Sequence, residues 1–353
     1  MKPDITIIGG GFAGLATAYF LSRRSPGKIL LLEMEDQPGS HASGQNAAMI
    51  RQQVADPQIA LLAKEGTRWL REERHVLPGT ITYRQTGSVM IGSDQPGGGL
   101  YNIRQTCNNT GIMIENYPAG ALRKKFPALE RANFQTGSFC SSDGVIDIHA
   151  LLYGFLQGFR QAGGTVWTRA RVSSIRVEHD RIVALETSRG KVEPGIVVNA
   201  AGAWAAEIGK LAGAENISLT PYRRHLFFTE PVSFIRSDDP FIWDVEHSIY
   251  FRPETGGLLV SACDQERFAA GPAPSDSRAI PFLLDKLRRF LPRLSGLRMI
   301  RNWAGLRTMT HDGRFILRWD HNVKNLFWVA GLGGHGVTCS PAYGQHAAQM
   351  ILS

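Results

Sequence analysis

Asp4-Ile5-Thr6-Ile7-Ile8-Gly9-Gly10-Gly11-Phe12-Ala13-Gly14 joins a short β-branched run to a GxGxxG turn, and an apolar pattern at Leu15, Ala18, Phe20 and Leu21 then continues with helical spacing. Strand, glycine turn and helix in this order make an anion-binding corner. Gly9 permits the tight turn, Gly11 lets a pyrophosphate approach the backbone, and Gly14 lets the helix pack on the strand. Ala13 lies in the first helical turn, whose N–H groups have no partner within the helix and can meet phosphate. A second apolar run, Lys28-Ile29-Leu30-Leu31-Leu32, ends at Glu33, with Met34 beside it. Glu33 follows Gly14 by 19 residues, the spacing at which a carboxylate meets a ribose 2′-OH and repels a 2′-phosphate. An adenine dinucleotide site is expected; the motif alone does not separate NAD from FAD.

The 353 residues suffice for about two domains. Hydrophobic residues at 43% and charged residues at 20% exclude wholesale disorder and low-complexity scaffolds. The formal charge of +8 is spread in twos and threes (Arg23-Arg24, Arg123-Lys124-Lys125, Arg223-Arg224, Arg288-Arg289) without a long basic tract, so no nucleic-acid partner is expected. Cys107, Cys140, Cys263 and Cys339 stand alone, and no HExxH occurs; no metal site and no disulfide scaffold are expected, and reduced thiols point to a cytoplasmic location. Ile5 to Ser22 carry no charge, but three consecutive glycines and Asp4 argue against a signal peptide or anchor. No membrane crossing is expected, while peripheral contact with the inner membrane stays open.

Beyond the first turn, Pro38 to Met49 reads equally as a ligand-contacting loop or a linker. Leu151, Leu152, Phe155, Leu156 and Phe159 predict a helix between an N-cap at Asp147 and a stop at Gly163-Gly164. Strands are predicted over 165–168, 172–177, 182–187 and 196–199, and Asn199 to Trp204 is a strand end rich in tiny residues, with Gly202 as a second cofactor contact. Leu326 to Ala330 reads as strand, Gly331 to Gly336 as a glycine loop, and Ser340 to Leu352 as a helix whose N-terminus near Val337-Thr338 would face developing negative charge.

Four motifs in one order, Ile7 to Gly14, Val197 to Trp204, Trp303-Ala304-Gly305-Leu306-Arg307 and Gly331 to Gly336, carry a resemblance that runs nearly end to end. The chain resembles the FAD-dependent D-amino-acid oxidase-like family of glycine oxidase, sarcosine oxidase and D-amino acid dehydrogenases. Within it the chain is most similar to D-arginine dehydrogenase, through Gln37-Pro38-Gly39, Leu211-Ala212-Gly213 and Pro221-Tyr222-Arg223-Arg224. The resemblance implies an α/β protein: a Rossmann-like FAD-binding domain (1–82, 144–218, 304–353) and an α+β substrate domain on a mainly antiparallel sheet (83–143, 219–303). It implies FAD held without a covalent bond, and hydride transfer from the α-carbon of an amino acid or amine to flavin N5. The resulting imine would hydrolyse to a 2-oxo acid or aldehyde, and the electron acceptor is unknown.

Carried over residue by residue, Glu33 holds the adenosine ribose and Val172 gives a backbone contact near adenine. Ala42, Ser43, Gly44, Gln45, Asn46 and Met49 line the flavin, and Gly333, Gly334, His335, Gly336, Val337 and Thr338 meet the isoalloxazine. Arg307, Arg223, Tyr250 and His335 are the expected catalytic and substrate-binding residues, because a guanidinium fork and a phenol O–H fit a carboxylate. Arg224 is the alternative to Arg223, and Arg51, after the flavin loop, is a weaker candidate that reads rather as solvated or phosphate-facing. Three departures matter. Ser88 stands where D-arginine dehydrogenase has a glutamate for its cationic substrate, and Met49 and Val54 replace its histidine and tyrosine, so arginine is a doubtful substrate. Val260 stands at the oxygen-activating lysine of sarcosine oxidase, favouring dehydrogenase over oxidase. Arg307 falls near the flavin-tethering cysteine of that enzyme, while His41 faintly resembles the tethering histidine of dimethylglycine dehydrogenase. Two rival readings remain: oxidation of a 2-hydroxy acid or glycerol 3-phosphate, and a flavoprotein that assists assembly without turnover.

Overall fold

The β-branched run Ile5–Ile8 becomes the wholly buried centre of a six-stranded sheet in a computed structural model describing residues 1–353. Ile29–Leu32 and Thr165–Trp167 extend the sheet on one side, and Ile196–Asn199 and Leu326–Ala330 on the other, all parallel; Ile316–Trp319 closes the edge antiparallel. Because the chain leaves Ile5–Ile8 in one direction and returns on its opposite flank, a crevice opens at the strands' carboxyl ends, where doubly wound sheets take their ligands.

The helix Phe12–Ser22 is buried over Phe12 to Leu21 and is apolar on every side. That composition fits a helix sandwiched between sheet and other helices. Glycines supply the close approaches. A Cβ at Gly344, in the helix Ser340–Leu352, would lie 3.0 Å from the carbonyl of Ala16, and one at Gly158 would lie 2.6 Å from the Tyr19 ring. The predicted helix at 147–164 is observed as Ile148–Gln161, capped as expected: Asp147 accepts hydrogen bonds from the N–H groups of His149 (3.0 Å) and Ala150 (2.9 Å).

A nine-stranded sheet forms the second layer system, ordered Glu266–Arg267, Leu219–Thr229, Gly257–Ser261, Ile249–Glu254, Phe241–Asp244, Ser88–Gly92, Thr136–Cys140 and Glu115–Pro118, with Met299–Thr310 also paired to Leu219–Thr229. Only the Phe241–Asp244 and Ser88–Gly92 pair is parallel, so the sheet is mainly antiparallel. Met299–Thr310 is one continuous strand, and the expected boundary at 303/304 falls inside it. Arg307 therefore rises from the sheet of the substrate domain.

A small sheet joins Met49–Ile50 to Gly144–Ile146 and Tyr83–Arg84. Arg252 Nε donates to the Ala47 carbonyl at 2.7 Å, so the loop preceding Met49 is fastened to the nine-stranded sheet. No helix is long and apolar enough to cross a membrane.

Candidate active site

Two clefts run end to end along the carboxyl edge of the six-stranded sheet. They share Gly11, Ala42, Ser43, Ala200, Gly202 and Leu306, and hold about 860 and 1190 Å3 of atom-free space. The smaller lies over the GxGxxG turn. Gly9 has φ +110°, and a Cβ there would strike the Ala200 carbonyl; one at Gly11 would sit 2.8 Å from Ser43 Oγ. The helix that begins at Phe12 has a glycine at its N-cap and no acid in its first turn, so its N-terminal field faces the cleft. Phe12 N–H donates to Ser43 Oγ at 2.9 Å.

Glu33 is 7% exposed in the same cleft. Its Oε2 accepts from Gly10 N–H (2.7 Å) and its Oε1 from Glu35 N–H (2.8 Å), while burial pushes its carboxyl above the ordinary value. A carboxylate offers about four acceptor sites; two are in use, and the others remain for a ribose. Met34 and Val172 line this cleft too. His41 is held by Glu35 (2.8 Å) and rests on Trp204, with ring centroids 4.7 Å apart. Gly44 lines neither cleft; a Cβ there would lie 2.6 Å from the Gly39 carbonyl, so its part is in shaping the loop.

The larger cleft is walled by Gln45, Asn46 and Met49 on one side and by Gly333, Gly334, Gly336, Val337 and Thr338 on the other. Cβ atoms would narrow it: at Gly305 one would lie 3.1 Å from the Gln45 carbonyl, and at Gly334 3.0 Å from Arg307 Nη1. The helix runs over Ser340–Leu352 as expected, and its first residue lies just beyond Val337-Thr338. Cys339 N–H donates to the His335 carbonyl and Ser340 N–H to Val337, so 335–340 turns tightly before the helix starts. A glycine-lined trough with a helix N-terminus, a buried carboxylate that keeps acceptor sites free and a wider far end fits an adenine dinucleotide bearing a flavin.

At that far end three guanidiniums, Arg51, Arg224 and Arg307, line a wall that contains no Asp or Glu. Arg307 makes no hydrogen bond or ion pair within the protein. Arg51 lies over the Trp243 ring at 4.1 Å, with Nη2 3.4 Å from His335 Nε2. Burial first, then Arg307, lowers the Arg51 pKa to about 10 and also lowers that of Arg224. Both stay charged at neutral pH. Tyr250 is fully buried, its Oη has no partner, and burial holds the phenol above its ordinary pKa.

Two expected residues are placed elsewhere. Successive side chains on a strand face opposite ways, and in Leu219–Thr229 Arg224 faces the cavity while Arg223 turns from it. Arg223 is consumed by ion pairs with Glu266 and Asp276, donates to the Pro274 carbonyl and lies over Phe268. Arg223 is a structural residue, and Arg224 takes its place in the site. His335 sits behind the wall against Arg51 and Phe315; burial, then Arg51 and Arg307, hold its pKa well below the ordinary value, so it is neutral at pH 7. Arg51, read as solvated, is in fact a wall residue. Met49 lies in a strand and lines the cavity, and alternation from it places Arg51 on the same face; that was the available signal.

Behind the wall lies a buried polar network. Ser88 O–H donates to Asp143 Oδ2 (2.6 Å), and the Gln52 amide donates to Oδ1 (2.8 Å). Ser88 and Val54 are buried off the cavity. Burial pushes the Asp143 carboxyl up to about 6. The unfolded chain titrates it near ~4, so its contribution to stability is complete below that pH and is lost as pH rises through 6. Asp143→Asn is expected to flatten the dependence of Tm on pH between about 4 and 7; curves that stay parallel to the wild type would refute this.

Comparison with known proteins agrees with the geometry. The family model described as "FAD dependent oxidoreductase" (DAO) matches residues 4–350. FAD-dependent oxidoreductase domain-containing protein 1 of Bos taurus is 25% identical over 99% of this chain and 81% of its own length. Mitochondrial dimethylglycine dehydrogenase of Homo sapiens is 26% identical over 99% of this chain, which spans only 42% of that protein. The crystal structure of L-proline dehydrogenase from P. horikoshii superposes with a TM-score of 0.87 at 22% identity, covering 99% of this chain and 93% of that one.

Proposed function

This chain belongs to the DAO family of FAD dependent oxidoreductases, and on that premise we propose that it oxidises an amino acid or amine that carries a carboxylate. The C–H bond next to nitrogen breaks with its electron pair, the nitrogen lone pair closes a C=N bond, and water hydrolyses the imine to a 2-oxo acid or aldehyde. FAD, when bound, supplies the hydride acceptor at N5, and an acceptor yet unidentified takes the electrons onward. The observation that carries this reading is one wall: Arg307, whose side chain has no partner within the protein, and Tyr250, whose buried Oη has none, both line the cleft bordered by the 331–338 loop.

The chain's own residues orient and desolvate. Arg307 offers a two-pronged N–H fork and Tyr250 an O–H, which together fix a carboxylate and so aim the adjacent carbon. A nitrogen needs a free lone pair to form C=N. Three guanidiniums disfavour an ammonium group beside them and favour the neutral amine. His335, neutral, adds nothing to that positive field.

The likeness to D-arginine dehydrogenase carries over as a reaction class and not as a substrate. A wall of three guanidiniums without a carboxylate repels a cationic side chain. We also propose that FAD is held without a covalent bond, since the Glu35 and Trp204 contacts occupy His41 on the adenosine side.

Anaerobic titration of the yellow holoprotein with carboxylated amines and with 2-hydroxy acids tests the reading. Bleaching by amines, with ammonia or amine released, is expected; bleaching by hydroxy acids alone, or by none, would overturn it. Acid precipitation should leave the pigment in the supernatant, and a yellow pellet would show a tether. Tyr250→Phe is expected to weaken substrate about tenfold while Tm holds or rises, because the hydroxyl removed has no partner in the protein. A lowered Tm with unchanged KM would remove Tyr250 from the site.

A further inference from the structure

One carboxylate does not account for the charge in this cavity. Arg307 and Arg224 lie on paired strands: Arg224 sits opposite Gly305, two residues from Arg307 and on the same face of the sheet. Such diagonal neighbours stand about 7–8 Å apart at the backbone. Arg224 is 5% exposed. Its Nε donates to the Asp264 carbonyl at 2.6 Å, which leaves the outer N–H groups of the fork unassigned. The Asp264 carboxylate favours the Arg224 charge without bonding to it, because its oxygens are taken by the His225 N–H (3.0 Å) and by His225 Nδ1 (2.7 Å). Arg51 differs, since the ionised form of buried Asp143 behind the wall offsets its charge. Two guanidiniums, Arg307 and Arg224, thus share the cavity without a carboxylate bonded to either, at a cost in repulsion and desolvation that an anion at each would relieve.

We propose that the substrate carries two acid groups: an α-carboxylate held by Arg307 and Tyr250, and a second acidic group, a short distance along the same molecule, held by Arg224. The substrate class is an amine of aspartate or glutamate size with a second carboxylate or an oxyacid of phosphorus. Leu226 and Trp243, apolar neighbours in the wall, suit a methylene spacer between the two acid groups. This inference rests on the amine-oxidation reading and deepens it.

The test is calorimetric, with the FAD-loaded protein at fixed ionic strength and with non-reacting probes: propionate and butyrate against succinate, glutarate and 3-phosphonopropionate. The diacids are expected to bind at least about tenfold more tightly than the monoacids, the carboxylate and phosphonate arms telling which second group is preferred. Arg224→Met is expected to bring that ratio to about one, and Arg224→Lys, which keeps the charge, to restore part of it. Equal binding of monoacids and diacids by the wild type would overturn the inference, as would a ratio that survives Arg224→Met; either result leaves bleaching by simple carboxylated amines intact. Failure of every amine to bleach the flavin, whatever the calorimetry, would instead bring down the amine-oxidation reading.

Discussion

Arg307→Ala should raise KM for a carboxylated amine by about two to three orders of magnitude, since stripping the partner from a buried charge costs roughly 3–5 kcal/mol. Tm should hold or increase slightly. Arg307 has no protein partner to lose, and its removal relieves the repulsion that lowers the pKa values of Arg51 and Arg224. The combination separates a substrate anchor from a structural ion pair, whose loss would lower Tm and leave KM alone. Steady-state kinetics beside a melting curve decides it.

Gly14→Ala should be comparably damaging through a different route. The new methyl would be driven into the Gly9 carbonyl oxygen and to 3.3 Å from Ile7 Cγ2, with backbone on one side and buried sheet on the other. Neither can move without lifting the helix Phe12–Ser22 from its strand. A loss of about 3 kcal/mol or more is expected, with the protein emerging colourless and with a lower Tm. Gly213→Ala is the control: φ is +62°, so backbone strain remains, but nothing lies within 4 Å of the added Cβ. It should cost only about 1 kcal/mol and leave the preparation yellow. A yellow Gly14→Ala protein with an unchanged Tm would show that helix and strand do not depend on this contact.

Legibility in the sequence followed the physics of each element. The first crossover was plain because glycine spacing, β-branched residues and a terminal acid all act within 33 residues of chain. The helix at 148–161 was plain because cap and apolar period agree. The second sheet gave weaker signals, and the boundary was set inside Met299–Thr310 because nothing in the composition marks where that long strand begins and ends. Arg223 and Arg224 illustrate the remaining limit. In Leu219–Thr229 the two alternating sets each hold one arginine and bulky apolar residues, Arg223 with Leu219 and Phe227 and Arg224 with Leu226 and Phe228, and both sets are buried over 223–227. Alternation then says that one arginine faces the cavity without saying which. Only the acids brought alongside from Glu266 and Asp276 break the tie.

Leu326–Ala330 and Ser340–Leu352 lie at the far end of the chain from the GxGxxG turn, yet the strand pairs with Ile196–Asn199 and the helix crosses Phe12–Ser22. A ribosome delivers these pieces hundreds of residues apart. The nucleotide corner is made early and must wait, with half its wall missing, until the 331–338 loop has been synthesised. Pigment uptake is therefore a late event in the life of each molecule. Nascent chains stalled at residue 325 should neither retain flavin nor protect the first helix from protease.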